Sequence, residues 1–178
     1  MRIRYITALA SIICSVTSVD AQQPDRNIAA WVSAGLGPGS VRGLGGVLHE
    51  TISVGPYEVI ARQSDIGPFF SGGPGITDHG FLLGARTGGE RLFAAGALGY
   101  GRANPYHKFG EGGYPVTSPS AAALLYDVSL HANAVIPGVA LVMSGAIGAR
   151  QTSYLMTTIN LELGWFGLHN TDTIRTNY

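Results

Sequence analysis

Hydrophobic and polar residues alternate along much of the chain with a period of two, the pattern of β-strands that have one apolar face. The clearest example is Tyr126–Val135, whose polar positions are Asp127, Ser129, His131 and Asn133. No segment carries a convincing apolar period of 3.6 residues, and the many glycines would weaken a helix. The pattern therefore predicts an all-β protein.

Eight strands are predicted from this alternation. They are Ile28–Leu36, Gly43–Val54, Tyr57–Gln63, Gly80–Thr87, Arg91–Arg102, Ala121–Ile136, Val139–Arg150 and Leu155–Leu168. The predicted tight turns are Gly55-Pro56, Gly88-Gly89 and Pro137-Gly138, and the alternate links are Gly37–Arg42, Ser64–His79, Ala103–Ser120 and Gln151–Tyr154. Outer-membrane barrels carry short turns on the periplasmic side and longer loops outside. The two longest links, Ser64–His79 and Ala103–Ser120, fall on the side expected for extracellular loops.

The first residues have the layout of a secretory signal peptide. Arg2 and Arg4 precede an apolar run from Tyr5 to Val16, and Val19-Asp20-Ala21 offers a cleavage site. The run is too short to span a bilayer as a helix. Cleavage would remove Cys14, the only cysteine, so that the mature chain could form no disulfide. The predicted organisation is a signal peptide at 1–21, an outer-membrane barrel at 22–168 and a polar tail at 169–178.

Charge and glycine content favour a membrane environment for this sheet. Charged residues are 12% of the chain, against roughly 25% in a typical soluble domain. Glycine accounts for 26 of 178 residues, and the one lysine, Lys108, lies in a predicted loop. A water-exposed surface usually carries charges at roughly 25–35% of its positions. The balance of eleven basic and eleven acidic residues also argues against nucleic acid as a partner. The sequence therefore predicts an eight-stranded antiparallel transmembrane barrel in the cell outer membrane.

Alternation assigns each strand residue to the lipid or to the lumen. The predicted lipid-facing residues include Val128, Leu130, Leu141, Ile147, Ile159, Leu161, Leu163 and Trp165. The predicted lumen network consists of Glu58, Arg62, Arg86, Asp127, His131, Asn133, Arg150, Asn160 and Glu162. An eight-stranded barrel is just wide enough for side chains to fill it, so opposite charges there should pair. We expect Arg150 to pair with Glu162, and Arg62 and Arg86 to flank Glu58.

Two features of the outer face carry further expectations. The alternation of side chains places Glu50 on the lipid-facing side of its strand. A bulge around Gly45-Gly46 would turn it inward, or Glu50 would lie near the headgroups. Several aromatic residues lie near predicted strand ends, where an interfacial girdle would place them. They are Tyr57, Phe81, Tyr100, Tyr126 and Trp165.

From Ile28 to Leu168 the chain resembles the small eight-stranded outer-membrane barrels of OmpA/OmpX/OmpW-like architecture. Ile159-x-Leu161-x-Leu163-x-Trp165, followed by Phe166, resembles the terminal signal recognised by the outer-membrane barrel assembly machinery, although a polar segment follows it here. The resemblance implies a structural or surface-interaction role. It also implies outer-membrane lipid, including lipopolysaccharide, and the assembly machinery as partners. Ser64–His79 and Ala103–Ser120 would be the loops that meet an extracellular partner.

Three alternatives remain open on the sequence. The first is a lipid A-modifying enzyme, with Ser129 as nucleophile, His131 as base and Asp127 or Glu162 as orienting acid. Residues two apart on a strand share a face but are separated by ~6.5–7 Å of backbone, and parity turns these inward, so no enzyme is predicted. The second is a narrow pore, and the third is a soluble secreted barrel that binds a ligand. The five histidines lack paired metal-ligand spacing, so neither a metal nor a cofactor is predicted.

Overall fold

The computed structural model describes residues 28–41, 43–67, 73–89, 91–107, 116–117, 119–133, 137–148 and 152–165. Within them lie nine strands: β1 (Ile28–Pro38), β2 (Leu44–Val54), β3 (Tyr57–Gly67), β4 (Pro74–Gly88), β5 (Leu92–His107), β6 (Val116–Thr117), β7 (Ala121–Asn133), β8 (Pro137–Gly148) and β9 (Tyr154–Trp165). In this part of the chain no helix is long and apolar enough to cross a membrane.

Eight of the strands form a closed antiparallel barrel. Each long strand pairs with the next long strand along the chain, and β1 pairs with β9 to close the ring. The two-residue β6 pairs only with the end of β5 and lies outside the ring. Because the ring has no free edge, the backbone groups of every long strand have partners on both sides. The predicted eight-stranded barrel is confirmed.

Tight hairpins lie at one end of the barrel, together with the start of β1 and the end of β9; we call this the turn end and the opposite end the loop end. Gly55-Pro56 forms the predicted two-residue turn, in which Val54 pairs with Tyr57. Gly55 has φ of 59°, as the first central position of a type II′ turn requires. The turn predicted at Pro137-Gly138 is wrong, because Gly138 pairs with Asn133 inside the sheet. Proline is accepted at the first residue of a strand, which is the position of Pro137.

The strands around the first long link extend further than the sequence predicted. Ser64 pairs with Asp78, and Asp78 also pairs with Ala103, so much of the predicted loop Ser64–His79 belongs to β3 and β4. The start of the predicted loop Ala103–Ser120 likewise belongs to β5, which continues to His107. Glycine, proline and polar residues favour loops by composition, but here they continue the ladder beyond the apolar part of the strands.

The outer face carries a continuous set of exposed apolar side chains. Leu83 and Ile159 are 70% and 68% exposed, and every long strand contributes at least one large apolar side chain to this set. Water-soluble monomers rarely expose apolar patches beyond a few hundred Å². The face has the character of a lipid-contacting belt.

Glu50 is an acidic residue within this apolar face. It lies between Val32 on β1 and Ala61 on β3, half-buried and on the outer side. The pairing of β2 with β1 runs without interruption from Leu44 to Val54, so no bulge turns Glu50 inward. Of the two explanations that the sequence allowed, a bulge is therefore wrong.

A charge placed on the outer face tests this assignment. Leu141 is half-exposed and pairs with the outward Leu130 and Ile159. We expect Leu141→Arg to lower the free energy of unfolding in lipid vesicles by about 2–4 kcal/mol, because a guanidinium near the bilayer centre loses its hydration. The measurement is urea-induced unfolding, with Leu141→Ala as the uncharged control. Equal losses for the two variants would contradict lipid contact at this position.

Candidate functional site

The polar side chains of the lumen fall into two groups. The first, which we call the Arg62 cluster, contains Arg62, Asp78, Asp127, His49, Tyr154 and Ser64 and lies between the two ends of the barrel. The second, which we call the Ser129 chain, contains Ser129, His131 and Glu162 and lies nearer the turn end. All of these residues point inward because they occupy alternate positions on their strands.

Arg62 connects five strands across the lumen. Its Nε and Nη2 donate to the two carboxylate oxygens of Asp78 at 3.3 and 2.9 Å, and Nη1 donates to Asp127 Oδ1 at 2.8 Å. Nη1 and Nη2 also donate to the backbone carbonyls of Tyr126 and Gly145 at 3.0 and 3.1 Å. Each of the five N–H donors of the guanidinium therefore has an acceptor. A fully buried guanidinium is tolerated only when its donors are hydrogen-bonded and its charge is paired.

The remaining members of the Arg62 cluster surround the two carboxylates. The Tyr154 hydroxyl donates to Asp78 and lies 2.6 Å from Ser64 Oγ. His49 Nε2 lies 3.2 Å from Asp127 Oδ2, although the ring is not aligned for a hydrogen bond. One arginine therefore faces two carboxylates here, and the His49 ring lies beside the second of them.

The Ser129 chain has the order of a nucleophile, a base and an acid. Ser129 Oγ lies 2.6 Å from His131 Nε2, and His131 Nδ1 lies 3.0 Å from both carboxylate oxygens of Glu162. The expectation that two residues so close on a strand are poorly placed for a hydrogen bond is wrong. The imidazole ring reaches along the strand and covers the backbone separation. Glu162, and not Asp127, contacts the histidine.

Aromatic side chains hold His131 in place at the turn end. The Phe93 ring stacks on the imidazole with centroids 4.2 Å apart and planes 9° apart, and Trp31 packs edge-on against both rings. The Arg86 guanidinium lies over the Phe93 ring, 5.3 Å from its centroid. Its Nε also donates to the Gly55 carbonyl at 3.2 Å, so Arg86 fixes a hairpin turn instead of joining the Arg62 cluster.

A small cavity of ≈ 20 Å³ lies between the two groups. Its lining includes Glu58, Asp127, Ser129, His131 and Glu162. This volume holds about one water molecule and no acyl chain. Glu58 Oε1 is buried without a hydrogen-bond partner among the described residues, and a water in the cavity would satisfy it. Beside the cavity, Ser129 lies between Ala95 and Val142, whose side chains offer no donor for an oxyanion.

The lumen is not polar throughout, although the sequence predicted only a polar network there. From the middle of the barrel toward the loop end, Ile66, Leu82, Leu125 and Met156 are fully buried in one apolar cluster. Glycines make room for them: a side chain at Gly80 or Gly101 would overlap Leu125. Part of the high glycine content is thus explained by large side chains that reach across a narrow lumen.

Other residues of the predicted network, Asn133 and Asn160, also lie inward. Asn160 donates to Ser33 Oγ at 2.7 Å and accepts from Thr158 Oγ1 at 2.6 Å, and both amide atoms of Asn133 lack partners among the described residues. Arg62 donates to Asp78 and Asp127 instead of Glu58. The predicted partner of Glu162, Arg150, lies outside the described residues.

The residues predicted to face lipid can be placed in the same way. Those with described side chains lie on the outer face and are exposed: Val128, Leu130, Leu141, Ile147, Ile159, Leu161 and Leu163. The side chain of Trp165 is outside the described part of the structure. Phe81 and Tyr100 pair in the middle of β4 and β5 rather than near the strand ends, because both strands are longer than predicted.

The sequence missed Asp78, His49 and Tyr154 as members of the Arg62 cluster. Asp78 and Tyr154 were assigned to links between strands, whereas His49 carries no motif. Among the residues that the structure describes, no group of three His, Cys, Asp or Glu is placed to hold a metal ion.

Comparison with known proteins gives structural neighbours only. No protein-family model matches the chain, and no curated protein matches it. The crystal structure of Neisserial surface protein A (NspA) is similar with a TM-score of 0.64 at 6% identity, over 78% of this chain and 97% of that one. The N-terminal β-barrel domain of Pseudomonas aeruginosa OprF is similar with a TM-score of 0.56 at 9% identity, over 77% and 97%.

These likenesses define the class of fold. The chain has the fold of the small eight-stranded outer-membrane β-barrels, as its strand pattern predicted. At such low identity the likeness extends to the fold alone.

Replacing Arg62 tests the contribution of the Arg62 cluster to stability. We expect Arg62→Met to lower the free energy of unfolding in vesicles by about 3–5 kcal/mol, because Asp78 and Asp127 would remain buried without their partner. Adding Asp78→Asn and Asp127→Asn should recover part of the loss, since the Arg62 cluster then holds no unpaired carboxylate. Arg91→Met, at an exposed position near the turn end, should change the value by less than about 0.5 kcal/mol. A loss below about 1 kcal/mol for Arg62→Met would contradict the role of the cluster.

Proposed function

We propose that the protein is an integral outer-membrane barrel with a structural or surface-interaction role and a lumen closed by its own side chains. The observation that carries the proposal is the division of the side chains: most charged strand residues point inward, where Arg62 pairs with two carboxylates, while the outer face is largely apolar. A soluble barrel would have the opposite arrangement.

The outer face supports the membrane part of the proposal. Strands β7, β8 and β9 present Leu130, Leu141 and Ile159 side by side, each at least half-exposed. Such a surface gains free energy from contact with acyl chains and loses it in contact with water. The outward side of the same strands carries no Asp, Glu, Lys or Arg among the described residues.

The lumen supports the closed state. Arg62 bridges five strands, the apolar cluster fills the space toward the loop end, and the cavity between the polar groups holds about one water. A conducting path would require Arg62 and Leu125 to leave buried positions. The structure therefore supports a closed barrel better than a narrow pore.

The orientation follows from the connections. We propose that the turn end faces the periplasm and the loop end faces the exterior, as in barrels with short periplasmic turns. Export would depend on the predicted signal peptide at 1–21 and insertion on the barrel assembly machinery. The tips of the two long links, at 68–72 and 108–115, lie outside the described residues, and we propose that they meet any extracellular partner.

A lipid-modifying activity has one observation in its favour, the Ser129 chain. Two features of its surroundings oppose that activity. The chain faces the lumen, away from lipid, and the adjoining cavity holds about one water. We propose that these hydrogen bonds order the turn end of the lumen. Unchanged acylation of lipid A in cells with and without the gene is the expected result.

Fractionation tests the membrane assignment. We expect the protein to stay with membranes through alkaline extraction and to migrate differently on gels before and after heating, because a closed barrel resists detergent until it is heated. Release as a soluble protein without a mobility shift would contradict the proposal and favour the soluble ligand-binding barrel.

Conductance in planar bilayers tests the closed lumen. The native protein should show no steady open channel, since Arg62 and the apolar cluster block the path. Replacing Arg62, Asp78, Asp127 and Leu125 together with Ala removes the bridge and opens the apolar cluster, without leaving Asp78 or Asp127 unpaired, and this variant should show openings. Steady channels in the native protein would overturn the closed lumen while leaving the membrane assignment intact.

A further inference from the structure

A boundary between apolar and polar residues crosses three neighbouring strands on the outer face. Gln63 on β3 pairs with His79 on β4, and His79 pairs with Arg102 on β5. All three side chains are exposed and point outward. Toward the turn end the outward residues of these strands are largely apolar, whereas toward the loop end they are polar. The change from apolar to polar residues occurs at the same height on all three strands, at the paired residues Gln63, His79 and Arg102.

An aromatic pair lies directly below this boundary. Phe81 and Tyr100 are opposite one another, two residues closer to the turn end than His79 and Arg102, and are 68% and 67% exposed. Aromatic rings of this kind occur at the level where acyl chains meet headgroups. The row of Gln63, His79 and Arg102 would thus lie at headgroup depth.

Nothing within the described chain neutralises this row. Arg102 and His79 have no hydrogen bond or ion pair in the described part of the chain. The carboxylate nearest along the strands, Asp65, lies two residues beyond Gln63 and accepts a hydrogen bond of 2.6 Å from the Tyr106 hydroxyl. An exposed guanidinium beside an imidazole and an amide therefore has donors available for an external acceptor.

We propose that Gln63, His79 and Arg102 bind the phosphate headgroup of a membrane lipid, while Phe81 and Tyr100 contact its acyl chain. Arginine matches phosphate through paired, charge-assisted N–H···O bonds, and the neighbouring side chains add donors at the same level. The apolar surface directly below distinguishes a lipid phosphate from a free one. This inference rests on the proposed membrane location.

Native mass spectrometry of the detergent-solubilised barrel tests the site. The two lipids compared are phosphatidic acid, whose phosphate is accessible, and phosphatidylcholine, whose phosphate is covered by choline. We expect the native protein to retain phosphatidic acid preferentially. Arg102→Gln should weaken that retention about fivefold, the effect of roughly 1 kcal/mol for one basic residue at a membrane surface. Adding His79→Gln should weaken it further, whereas Arg102→Lys should weaken it less than Arg102→Gln does, because the charge is kept and only the paired N–H···O geometry is lost.

Arg91→Gln is the matched control, since it removes an exposed arginine near the turn end, far from the row. It should retain the lipid as the native protein does. Equal retention by the native protein and Arg102→Gln, or an equal loss in Arg91→Gln, would overturn the site. Displacement of the lipid by an equal concentration of inorganic phosphate would overturn the assignment to a lipid. The heat-dependent gel shift is measured on every variant. Its absence from the native protein would refute the barrel's membrane location rather than this site.

Discussion

Backbone hydrogen bonding around a closed ring is the constraint on which the rest of this structure depends. Pairing of β1 with β9 leaves no long strand with a free edge, so the wall needs no water to satisfy its N–H and C=O groups. Side chains then alternate strictly between two environments. This division allows a chain with few charges to place apolar groups outside and to gather most ionisable strand residues inside.

The small size of the ring determines what happens inside. Eight strands enclose only enough space for side chains, so a charge in the lumen must be paired by its neighbours instead of by water. Arg62 meets this requirement with acceptors from four other strands. The Ser129 chain shows that a triad-like geometry can arise from the same requirement. Without space for a substrate beside Ser129, the geometry alone supports no catalysis.

The sequence predicted the fold well because a period of two is a direct consequence of strand geometry. It also placed Arg62, Asp127 and Glu162 on the inner face, but it could not predict their partners. Partners depend on the stagger between strands distant in sequence, which brings Asp78 and Tyr154 to Arg62. The ends of several strands were not predicted, because glycine and proline, which favour turns, continue the strands there. Pro137 was predicted to lie in a turn, but it is the first residue of a strand.

Spin labels along β8 test the central claim most directly. Because Cys14 is the only cysteine and lies in the predicted signal peptide, single cysteines can be placed in the mature chain without a competing thiol. Labels at Val139, Leu141 and Met143 should be accessible to oxygen dissolved in the bilayer, whereas those at Ala140 and Val142 should be shielded from it. The opposite alternation, or outward labels accessible to a water-soluble nickel reagent, would contradict contact between the outer face and acyl chains.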